Sequence, residues 1–181
     1  MPIIICTTMR AGTTARIAEC GHNIVATVFV QSGAFYRADG QCPESMRPVG
    51  ETEHMQSLAA VCAQARHAQA AQHQPTPLVA AAIVGTCDLR DPHVDRVLQA
   101  HMASPNFRGI RMVRRRQSPV PCGADDDAFR RGMRAMARHG LVYDVWQTSG
   151  AEHDCRSFFF FFFFFLGRWV GWWDWPGSLR M

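Results

Sequence analysis

The stretch that decides the fold is residues 78–113, LVAAAIVGTCDLRDPHVDRVLQAHMASPNFRGIRMV. It begins with a short apolar run, 78–84, which predicts a buried strand. Asp91 and Pro92 then mark a helix start, because Asp caps free N–H groups and Pro fits the first helical position. A second apolar run, 107–113, follows the helix. A strand–helix–strand unit of this kind predicts two parallel strands joined by a right-handed crossover.

The same alternation continues toward the N-terminus. Residues 24–30, IVATVFV, are apolar and rich in β-branched side chains, and they predict a buried strand. Met55, Leu58 and Cys62 lie at helical spacing and predict a helix from about residue 51 to residue 71.

Toward the C-terminus, Asp125, Asp126 and Asp127 stand where a helix dipole favours negative charge. An apolar stripe follows, Gly140 is typical of a helix end, and 141–146 (LVYDVW) predicts a fourth strand. The order is therefore β-α-β-α-β-α-β, an α/β fold with a parallel sheet. Half of a barrel and an open doubly wound sheet both agree with this order. No G-x-G-x-x-G follows a strand and no Walker A lysine is present, so nucleotide binding has no support.

The composition narrows the possible kinds of protein further. All 19 basic residues are Arg, which we attribute to codon bias, and a net charge of +4 is too small to predict nucleic-acid binding. The seven Cys are odd in number and form no C-x-x-C pair, which favours reduced thiols over a disulfide scaffold. The first residues lack the pattern of a secretory signal. We therefore expect a cytoplasmic protein.

The composition changes after residue 150. Residues 158–165 are eight consecutive Phe, and a Trp-rich segment follows. A membrane-spanning helix needs about 20 apolar residues, and this run offers nine, 158–166, before Gly167 and Arg168. We interpret 151–181 as an irregular low-complexity tail, read from a shifted or mis-assembled frame. A membrane-associated interaction protein is the third and most distant hypothesis.

The segment from Gly21 to Trp146 resembles the amidohydrolase-related family of predicted metal-dependent hydrolases, which includes lactonases. The stretches that carry this resemblance are GHNIVATVFVQSGAFYRADG (21–40), PESMRPVGETE (43–53), VAAAIVGTCDLR (79–90), FRGIR (107–111) and FRRGMRAMARHGLVYDVW (129–146).

The resemblance implies a (β/α)₈ barrel, of which 21–150 would be a partial TIM barrel with about four βα units; residues 1–20 do not match. It also implies a divalent, zinc-like metal in the full-length family, held in part by an H-x-H pair. No H-x-H occurs in this chain, so we assign no metal ligand and expect no cofactor here. Four units cannot close a barrel, and open sheet edges predict self-association.

Three residues are candidates for substrate binding. Arg111 lies at the C-terminal end of its predicted strand, where barrels carry functional groups, and a guanidinium there can grip a carboxylate or lactone oxygen. The chain departs from the family's pattern next to this site, because Met112 stands where family members often carry His. Asp144 and Trp146 alternate on the last strand, and Asp144 is a candidate partner for Arg111. A structural ion pair is the competing interpretation.

Two functional hypotheses follow. The first is a fragment of a metal-dependent hydrolase acting on a lactone or amide, inactive in this chain. The second is a non-catalytic remnant, truncated or frame-shifted. The resemblance implies a small-molecule substrate as the partner, rather than nucleic acid or a membrane.

Overall fold

The fold is an α/β arrangement built on one parallel sheet. The computed structural model describes residues 3–7, 21–69, 76–112 and 126–144. The strands are β1 (Ile3–Thr7), β2 (Ile24–Val30), β3 (Leu78–Gly85), β4 (Phe107–Arg111) and β5 (Val142–Asp144). The helices are α1 (Val49–Gln69), α2 (Val94–Met102) and α3 (Asp127–Arg138), with a short 3-10 turn at Glu44–Met46.

The sheet keeps its strands in chain order, β1-β2-β3-β4-β5, and every neighbouring pair is parallel. A doubly wound sheet reverses its strand order at a switch point, and the described strands show no such reversal. Helix α1 contacts α2, and α2 contacts α3. The described helices therefore form one layer on one face of the sheet.

The core between the sheet and this helix layer has two parts. Phe29 and Ile83 pack against Met55 and Ala59 of α1. A larger cluster joins β4 and β5 to α2 and α3, with these buried members: Val49, Cys87, Leu89, Val94, Val97, Leu98, Phe107, Ile110, Phe129, Ala135, Met136 and Tyr143. The apolar positions that predicted the elements are thus the positions that hold the two layers together.

The ends of α3 agree with the sequence patterns. The Asp126 carboxylate accepts a hydrogen bond from the Phe129 N–H at 3.0 Å, which satisfies one free donor of the first turn. At the other end Gly140 adopts φ +65. The Leu141 N–H donates to the Met136 carbonyl at 3.0 Å, as in a Schellman motif. Asp125, the other predicted acidic residue, lies outside the described residues.

Several features differ from the prediction. Helix α2 begins at Val94 rather than at Pro92, because the Asp91 carboxylate accepts from the His93 N–H at 2.7 Å and forms a turn before the helix. Strand β4 ends at Arg111, since Met112 is no longer paired in the sheet. Strand β1 was not predicted at all, and it lies in the segment 1–20 that the resemblance does not cover.

Candidate functional site

Arg111 and Asp144 meet at the C-terminal ends of two adjacent strands. They are direct partners in the β4–β5 register. The Arg111 Nε and Nη2 atoms both donate to Asp144 Oδ2, at 3.1 and 2.6 Å. Their side chains are 16% and 28% exposed. The predicted pairing is confirmed, and the pair remains within reach of solvent.

The pair faces away from the helix layer. Ile110 and Tyr143, the preceding residues on the two strands, belong to the core on the helix side. Successive side chains of a strand point to opposite faces. Arg111 and Asp144 therefore lie on the other face, at the edge where parallel sheets place functional groups. Trp146, the third predicted binding residue, lies outside the described residues.

The chemistry available to this pair is anion and carbonyl recognition. The two hydrogen bonds to Asp144 end on one carboxylate oxygen, so a bound molecule would have to share or displace that oxygen to use the Nε and Nη2 donors. Half-buried ion pairs also serve purely structural roles. The geometry agrees with the binding prediction and with its structural alternative.

A second arrangement on the same edge was not predicted from sequence. Glu51, 1% exposed at the start of α1, clamps the loop that follows β2. Its Oε1 atom accepts from the Ser32 N–H (3.1 Å), the Ser32 hydroxyl (2.8 Å) and the Ala34 N–H (2.9 Å). The next residue, Phe35, has a left-handed backbone (φ +58) and stacks on His54 with ring centroids 3.8 Å apart. The clamp therefore fixes the shape of this loop.

A buried polar pair lies beneath that clamp. Thr52 Oγ1 and His101 Nδ1 are 2.8 Å apart and share a hydrogen bond. Both side chains pack closely against Gly85, where an added Cβ would lie 2.9 Å from the threonine oxygen. Burial lowers the pKa of His101 to about 4, because the cationic form would lose its hydration. Burial thus keeps His101 neutral in the core.

The loop after β3 packs against α3. Arg90 forms an ion pair with Asp126 at 2.5 Å, and Asp88 accepts from the Arg90 N–H at 2.9 Å. The adjacent Cys87 is buried, and burial raises the pKa of its thiol well above the usual range. Asp88 is thus a residue of this loop, and Cys87 is a core thiol that burial keeps protonated.

The described residues do not fit a metal centre of the kind that the resemblance implies. Within 3–7, 21–69, 76–112 and 126–144, no three His, Cys, Asp or Glu side chains come together as a group able to hold a metal ion. At the strand end itself, Arg111 brings a positive charge, and the thioether of Met112 is not among the usual zinc ligands, which are Cys, His, Asp and Glu. We therefore derive no metal-dependent step from these residues.

Comparisons with models of known protein families, with functionally characterised proteins and with solved structures find no match. The amidohydrolase-related family therefore stays a prediction from the sequence resemblance. Likewise, none of the helices in the described part of the chain is long and apolar enough to cross a membrane. The 151–181 tail, on which the membrane hypothesis depends, lies outside those residues.

Proposed function

We propose that the chain is a partial (β/α) barrel of the amidohydrolase-related type that binds a small lactone or amide through Arg111 and does not hydrolyse it. The observation that carries this proposal is the Arg111–Asp144 pair, placed at the C-terminal ends of β4 and β5 on the face away from the helices. Chain-ordered parallel strands with helices on one face also suit a barrel wall.

The binding chemistry follows from the guanidinium group. Arg111 stays charged at any physiological pH and presents N–H donors in a planar fork. A ring carbonyl or a carboxylate of the ligand would take up donors of this fork, and Asp144 would keep the side chain oriented. Asp144 is a positioning residue in this account.

The sequence lacks the residues that hydrolysis in this class requires. Opening a lactone or amide in this class requires a water activated by a metal ion, and the 181 residues contain no H-x-H pair to hold one on a strand. The full-length family would carry a divalent, zinc-like metal, and we assign none to this chain.

A second candidate is a non-catalytic remnant that binds no ligand, with Arg111–Asp144 as a structural ion pair. The contact of Nε and Nη2 with one carboxylate oxygen favours it, because Asp144 already engages those two donors. Both candidates share a cytoplasmic location and a tendency of the sheet edges to self-associate; neither involves nucleic acid or a membrane.

The test uses the full chain and a panel of small lactones, cyclic amides and the hydroxy acids formed by ring opening. Isothermal titration should detect saturable binding of at least one compound, and Arg111→Met should weaken it at least tenfold. Arg138→Met is the matched control, since Arg138 forms an Arg–Asp pair with Asp95 on the exposed surface. Circular dichroism of both variants checks that they fold, and Arg111→Lys should restore part of the affinity.

Three outcomes would overturn parts of the proposal. Equal affinities of Arg111→Met and the unsubstituted chain would remove the role of Arg111. Failure of every compound to bind would favour the remnant. Lactone turnover that zinc supports and a chelator abolishes would refute the claim that this chain does not hydrolyse its ligand.

A further inference from the structure

We draw no further inference here: the strongest candidate, the cavity of about 250 Å³ between α1 and the start of β3 that is lined by Cys62, Arg66 and Asn106, adjoins residues 70–75 outside the described part of the chain, and nothing in the structure shows what covers it.

Discussion

Replacing Gly132 with Ala distinguishes core packing from helix propensity. Packing predicts a lower free energy of unfolding for the variant, whereas helix propensity predicts a higher one. Gly132 lies inside α3, where Ala is favoured over Gly by about 1 kcal/mol. In this fold, however, a Cβ at Gly132 would overlap the Leu89 carbonyl oxygen and lie 2.8 Å from the Leu89 carbonyl carbon and Cβ. Leu89 is fully buried, so it has no room to retreat.

The magnitude follows from these two terms. Forcing extra atoms into a packed core costs about 1–3 kcal/mol, and more where backbone must move. Because the overlap is with backbone atoms of Leu89, the cost lies at the upper end of this range. After the propensity gain of about 1 kcal/mol is subtracted, Gly132→Ala should lower the free energy of unfolding by about 2 kcal/mol. For a domain of this size that corresponds to a fall in Tm of roughly 4 to 8 °C.

Thermal unfolding followed by circular dichroism measures this effect. Arg131→Ala, at an exposed position of the same helix, is the control, and surface changes of this kind stay within about 0.5 kcal/mol. A rise in Tm for Gly132→Ala would mean that the loop after β3 does not pack on α3, and the packing argument would be wrong.

Three further predictions test other contacts. Glu51→Ala should lower the free energy of unfolding by about 3–5 kcal/mol in urea titrations, because three donors lose a buried acceptor. The Glu53 side chain is half exposed, so Glu53→Ala should cost under about 1 kcal/mol. Equal losses in the two variants would contradict the clamp. His101 binds a proton more readily in the unfolded chain, so its contribution to the free energy of unfolding should be complete above pH about 6.5 and decline toward pH about 4. In urea midpoints measured across that range, His101→Gln should flatten this pH dependence. An unchanged pH dependence would assign it to other groups. Arg111→Met should cost about 1–3 kcal/mol because it leaves a half-buried carboxylate unpaired, whereas Arg138→Met should cost under about 1 kcal/mol; the reverse order in the same urea assay would contradict the burial of the first pair.

The strands and helices were largely predictable because their signals are local. The run 24–30 is a strand as predicted, since its β-branched apolar residues fit a buried pleated surface. Strand β1 was missed because five residues carry little periodicity, and its pairing with β2 joins segments 21 residues or more apart. The predicted start of α2 was wrong because Asp91 can either cap a helix or stabilise a turn. In this chain Asp91 stabilises a turn before the helix.

The candidate site was predictable in part for the same reason. Alternation along β5 and the position of Arg111 at a strand end gave the ion pair with Asp144. The Glu51 clamp and the Thr52–His101 pair depend on which helix face meets which loop, and no local pattern encodes that. An acidic residue, Glu51, at the start of a predicted helix was the one available signal, and it is equally typical of a favourable helix dipole.

The parallel register of β4 and β5 places Arg111 beside Asp144 on the face away from the helices, and the proposed binding role of Arg111 depends on it. Backbone nuclear Overhauser effects in the isotope-labelled full chain measure it directly. We expect parallel-type cross-strand contacts that connect Ile110 with Tyr143 and Arg111 with Asp144. Antiparallel contacts between these segments, or a register shifted by one residue that turns Arg111 toward the helices, would contradict it.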